Sequence, residues 1–152
     1  MACRKSVTVI LYTKPYETAL AASRAGELCR IRGLSEEMGR VLVDCSGVDI
    51  TRVEPLLGLA ESYTVEVKLR CRGRVCGISG LDDVVPGKPF VYSGHLVVWG
   101  RVRGGYELKV GPKTARPPEP PVPASVFYVT SIEELHERNR VLGDLSRRIW
   151  CR

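Results

Sequence analysis

Thr64-Val-Glu-Val-Lys-Leu-Arg-Cys-Arg-Gly-Arg74 alternates strictly between apolar and polar positions. Val65, Val67, Leu69 and Cys71 fall on one side; Glu66, Lys68, Arg70 and Arg72 fall on the other. A period of two marks a strand with one face in a core and one in water. The water-facing row is cationic, and Arg74 extends it past Gly73.

Upstream, Val7–Tyr12 and Arg40–Cys45 are nearly all apolar or β-branched and read as buried strands. Between them, Pro15 suits a first helical turn, Leu20, Ala21, Ala25, Leu28 and Ile31 keep helical spacing, and Gly33 is a natural stop. Thr51-Arg-Val-Glu54 forms a capping box that predicts a second helix to about Tyr63. The front half therefore reads βαβαβ, for which a right-handed crossover between parallel strands is the default. Such a crossover would bring Lys14, Glu17, Asp44, Cys45, Ser46 and Asp49 to one strand end, where a small enzyme could keep a site.

Downstream the pattern changes to strands alone: Val75–Ser79, Pro89–Ser93, His95–Val102 and Tyr106–Val110. The breaks at Arg72-Gly73, Pro86-Gly87, Ser93-Gly94 and Gly104-Gly105 carry turn chemistry and predict an antiparallel meander. Five prolines between Pro117 and Pro123 make 111–124 an extended connector. Residues 125–152 read as a strand over Ser125–Thr130 and a helix opened by the capping box Ser131-Ile-Glu-Glu134. Arg147, Arg148 and Arg152 would sit at that helix's C-terminus, where the macrodipole favours cations. The expectation is one α+β domain over 1–152.

Composition bears on partners. The 152 residues carry 23 Lys and Arg against 17 Asp and Glu, a net charge of +6, with Arg well ahead of Lys. Arg presents a planar fork suited to phosphate and carboxylate. Lys68, Arg70, Arg72, Arg74, Arg101 and Arg103 are the candidate nucleic-acid contacts, with Tyr92, Trp99 and Tyr106 as stacking aromatics. The plainer reading is a solvated face neutralised by Glu61, Glu66 and Glu107. The leading function is a non-enzymatic protein binding nucleic acid, RNA ahead of DNA, or an acidic protein subunit.

Six cysteines, no Gln and a single Asn, Asn139, fit a hyperthermophile, where intracellular disulfides occur. Cys3–Cys151 and Cys71–Cys76 are the candidate pairs, with Cys29 and Cys45 as small core residues. With only His95 and His136, and no Cys-x-x-Cys, no metal site and no cofactor are expected. Catalytic residues are unassigned, since no nucleophile–His–acid set or phosphate loop is present. No secretory signal or membrane span is visible, so the expected location is cytoplasmic.

Val9-Ile-Leu-Tyr-Thr-Lys-Pro-Tyr16 resembles the first strand and active-site approach of glutaredoxins. Lys88-Pro-Phe-Val-Tyr-Ser-Gly-His-Leu-Val-Val-Trp-Gly100 resembles the cis-proline hairpin of the thioredoxin fold, with Pro89 in the proline position. The resemblance implies a thioredoxin-like protein without the usual redox pair, because Glu17 and Thr18 stand where those cysteines belong.

Overall fold

The computed structural model describes residues 3–152. The fold is mixed α+β, and the chain divides into two compact units. One comprises Ser6–Glu66 with Val129–Ile132; the other comprises the described part of 1–5, Val67–Tyr128 and Glu133–Arg152.

In the first unit, β1 (Cys3–Tyr12) is followed by a 3-10 turn at Pro15–Glu17, α1 (Thr18–Gly26), β2 (Arg30–Ser35), β3 (Arg40–Asp44), α2 (Ile50–Leu57) and the start of β4 (Ser62–Arg72). Val7, Val9 and Leu11 alternate into the core against Val41 and Val43, all fully buried. β1 and β3 are neighbours but run antiparallel, Thr8 opposite Asp44 and Tyr12 opposite Arg40. The parallel pairing of these two strands expected from the sequence is therefore not formed. The reason is the extra strand β2, which makes an antiparallel hairpin with β3.

That hairpin takes residues assigned to the first helix. α1 stops at Gly26, Leu20 is exposed, and Ile31 lies in a strand. Gly26 and the β-branched Ile31 weaken a helix, while pairing to β3 satisfies the backbone instead. A disulfide from Cys29 to Cys45 fastens this return to the end of β3. The hairpin turn needs Gly39. Its φ is +61°, and a Cβ there would collide with the Thr13 carbonyl. The Thr13 amide donates to the Gly39 carbonyl at 2.7 Å. α2 is capped by Asp49, not Thr51: the Asp49 carboxylate accepts from the Thr51 amide at 2.9 Å. It ends at Leu57, short of Tyr63, and β4 begins at Ser62.

The second unit holds the rest of β4 with β5 (Cys76–Ile78), β6 (Phe90–Tyr92), β7 (His95–Val102), β8 (Gly105–Lys113), α3 (Ile132–Ser146) and β9 (Ile149–Cys151). Its sheet runs β4-β8-β7-β6, antiparallel throughout. Ser93 and Gly94 both have positive φ, 52° and 76°, the backbone of a two-residue I′ hairpin turn. Trp99, Leu108, Leu135, Leu142 and Leu145 form its fully buried core.

Four expectations change here. β5 does not fold back on β4; it pairs with β9, a strand hidden in what reads as a helix tail. Ser125–Thr130 is not a strand: Ala124–Phe127 is a 3-10 turn after Pro123, and only Val129 bridges, to Val65. The Lys88–Pro89 bond is not cis; among the described residues the cis bond is Pro120–Pro121. Arg148 and Arg152 lie beyond the end of α3 at Ser146, Arg152 directly after β9.

All six cysteines are oxidised, as Cys3–Cys71, Cys29–Cys45 and Cys76–Cys151. Neither expected pair forms, and Cys29 and Cys45 are bonded to each other. Cys71 finds Cys3 rather than Cys76 because Cys76 is carried away to face Cys151 across the β5–β9 pair. Three disulfides point to an oxidising environment such as the extracellular space, which corrects the cytoplasmic expectation. Among the described residues no helix is long and apolar enough to cross a membrane.

Peptide mapping of unreduced protein should return these three pairs and no free thiol. Replacing Cys29 and Cys45 together by Ser should destabilise the fold by about 3 kcal/mol, from a closed loop of about 15 residues. Urea unfolding of the oxidised variant against the parent checks it.

Candidate nucleic-acid interface

The alternation of β4 is realised: Val65, Val67, Leu69 and Cys71 are buried. On the other side, the Lys68 side chain is 21% exposed and Arg70 57%. Register sets Arg70 opposite Glu107 and Lys68 opposite Lys109. Two lysines directly opposite repel. Glu107 offsets them: its carboxylate lies 3.3 Å from Arg70 Nε, 3.6 Å from Lys68 Nζ and 3.5 Å from Lys109 Nζ. With its side chain only 12% exposed, Glu107 is the hub of this face.

This face also carries a proline cover. Gly100, Glu107 and Lys109 from the sheet, with Pro120, Pro121 and Phe127 from the connector and its 3-10 turn, line a groove of about 450 Å³. Lys109 Nζ sits 5.6 Å from the Phe127 ring centre. Lys68 and Arg70 thus share one carboxylate with Lys109, beside the groove that the prolines cover.

Arg101 is on the opposite side of the sheet. It is the register partner of Tyr106, and Tyr106 is the partner of Cys71, so Arg101 follows the core parity rather than that of Arg70. At the sheet's end it reaches water, its guanidinium 5.6 Å from the Tyr106 ring centre. Trp99 stacks on Tyr106 with centroids 5.0 Å apart. Both rings are buried, so neither offers a face to a base.

The remaining candidates gather at that end. Arg74 and Arg101 line one shallow hollow of about 440 Å³ with Gly104, Gly105 and Tyr106. Arg72 is paired with Gly105, and Arg103 stands in the β7–β8 turn. The approach of β4 to β8 requires Gly105, where a Cβ would collide with the Cys71 carbonyl. Gly73 is equally necessary: a Cβ there would lie 2.8 Å from Cys151 Cβ and 3.1 Å from Cys76 Sγ. Next to it the Arg74 amide donates to the Arg152 carbonyl at 3.1 Å, and the Arg152 amide donates to Val75 at 2.8 Å.

Arg152 thereby joins the cluster, a residue sequence reasoning had assigned to a helix end. The signal that could have found it is Cys151: a bond to Cys76 forces the terminus beside Arg74. Trp150 comes with it, 40% exposed, with the Arg152 guanidinium 5.2 Å from its ring centre. Arg72, Arg74, Arg101, Arg103 and Arg152 are all exposed, and among the described residues none makes an ion pair. The arginines on α3 and just past its end differ: Arg138, Arg140 and Arg147 pair with Glu134, Glu137 and Asp144.

The strand-end cluster is dispersed. Antiparallel pairing sends Asp44 to the Thr8 end of β1, and Lys14 follows Tyr12 at the other end. Lys14 Nζ lies 3.8 Å from Glu61, and Asp49 caps α2. Asp44 accepts from the Ser46 hydroxyl at 2.5 Å and the Ser46 amide at 2.9 Å, with Arg32 at 3.5 Å. These Ser46 hydrogen bonds, then Arg32, hold its carboxyl below the usual value. The acid fixes the turn that follows β3.

A group whose carboxyl is depressed by folding stabilises above its ordinary value of 3.8, and that contribution is lost as pH falls through the lowered value. Asp44→Asn should therefore lower the urea midpoint at pH 7 and converge with the parent in strong acid. Glu107→Gln should destabilise by about 1–3 kcal/mol, since three cations lose their common acceptor; urea midpoints at neutral pH check it. Comparison of the chain with protein-family models, curated proteins and solved structures finds no match to any of the three.

Proposed function

We propose that this chain is a non-enzymatic binding protein for single-stranded nucleic acid, RNA ahead of DNA. The backbone phosphates lie against Arg72, Arg74, Arg101, Arg103 and Arg152. One observation carries the reading: five exposed arginines lie at one end of the second unit, Arg101 and Arg72 on opposite faces of the sheet there, and no described carboxylate pairs with them. Arg binds phosphate in a bidentate fork, and an uncompensated cluster holds counterions that a polyanion would release. The exposed Trp150 favours a single strand, whose unstacked bases can lie on an aromatic face. RNA is read mainly in that form. Lys68 and Arg70 stand aside, because each is already ion-paired to Glu107.

The test is fluorescence anisotropy with single-stranded RNA, single-stranded DNA and heparin across a salt series. Five contacts to a single strand give a log–log slope of roughly −3.5. Arg74→Ala with Arg101→Ala should weaken all sequences alike and flatten the slope by about 1.4 units, with little effect on stability. Arg70→Ala should leave the slope nearly unchanged. No binding at low salt and micromolar protein would sink the proposal. Equal binding to heparin and both nucleic acids would reduce it to a general polyanion surface, as an acidic protein partner would also use.

A further inference from the structure

A second site lies in the same unit, lined by none of the arginines of the cluster. The first strand, the end of β4, α3 and β9 enclose a cavity of about 340 Å³, within the range of small-ligand pockets. Its apolar walls are Leu69, Leu142 and Ile149, and Cys3, bonded to Cys71, borders it. Its polar end is Lys5, whose ammonium donates to the Asn139 side-chain carbonyl at 2.9 Å. No acidic side chain lines the cavity, and among the described residues Lys5 makes no ion pair.

An ammonium has three donors, and a neutral amide satisfies one without cancelling the charge. The bond to Lys5 also orients Asn139 so that its amide nitrogen remains free to donate. A cation and an amide N–H at one end, with aliphatic walls at the other, match an amphiphilic monoanion. α3 makes the room: Asn139, Gly143 and Ser146 line the cavity at helical spacing, and a Cβ on Gly143 would meet nothing within 4 Å.

We infer that this cavity binds a medium-chain carboxylate, its carboxylate on Lys5 Nζ and Asn139 Nδ2 and its alkyl chain against Leu69, Leu142 and Ile149. The inference is independent of the nucleic-acid reading and uses none of its residues.

Calorimetric titration of the disulfide-intact protein with hexanoate, octanoate, octan-1-ol and octylamine tests it. Octanoate should bind saturably, with affinity rising about fourfold per added methylene over hexanoate. Octylamine should not bind, and octan-1-ol should bind at least tenfold more weakly. Lys5→Met should lower octanoate affinity at least tenfold. Gly143→Leu should abolish binding with Lys5 still present, and its thermal midpoint should not fall, because Leu is the better helix former. Absence of saturable octanoate binding, equal binding of the alcohol or amine, or unchanged binding in a folded Gly143→Leu protein would each overturn the assignment.

Discussion

The arginine cluster depends on the bond between Cys76 and Cys151. Guanidinium groups gathered without acids repel one another; two unit charges about 10 Å apart in water do so by about 0.4 kcal/mol. Nothing in the composition of β9 compensates: it has three residues and pairs with a strand of three. A pair of strands that short is not stable alone in water. The covalent link holds the terminus on β5, and Gly73 leaves the space that the link needs. Charge is concentrated where a cross-link, rather than packing, resists its dispersal.

The same sheet treats its two faces differently. On one, Glu107 collects three cations and the proline connector lies across the result. On the other, Trp99, Tyr106 and Leu108 are buried. A segment that reads as a spacer thus forms part of a wall. Its prolines suit that use, because they hold an extended backbone with little entropy left to lose and need few donors satisfied.

What could be read from the sequence was local. The parity of Thr64–Arg72, the Ser93-Gly94 turn and the helix after Ser131 depend on neighbours within a few residues, and all three are present. What could not be read was pairing. Each strand shows its own alternation, but which parity of β7 joins which parity of β4 is set by the register of β8 between them. That register moved Arg101 away from Arg70. Ile31 and Gly33 suit the end of a helix as well as a strand, and only the hairpin with β3 decides, reversing the direction of the first strand pair. Six cysteines allow fifteen pairings, and spacing does not choose among them. The arginines of the candidate site were therefore visible as residues, while their grouping, and the arrival of Arg152 and Trp150, were not.

The bonds Cys3–Cys71 and Cys76–Cys151 close two consecutive covalent rings along the chain, and only the four residues Arg72, Gly73, Arg74 and Val75 run between them. A load applied at Cys3 and Cys151 under oxidising conditions passes through the two bridges and that short tether, bypassing everything inside the rings. The tether can lengthen to about 14 Å at most, at 3.3–3.6 Å per residue. A single cut within either ring releases no fragment, whereas a cut in the tether leaves the two rings joined only by noncovalent packing. The segment that carries Arg74 is therefore the single covalent connection between the two rings.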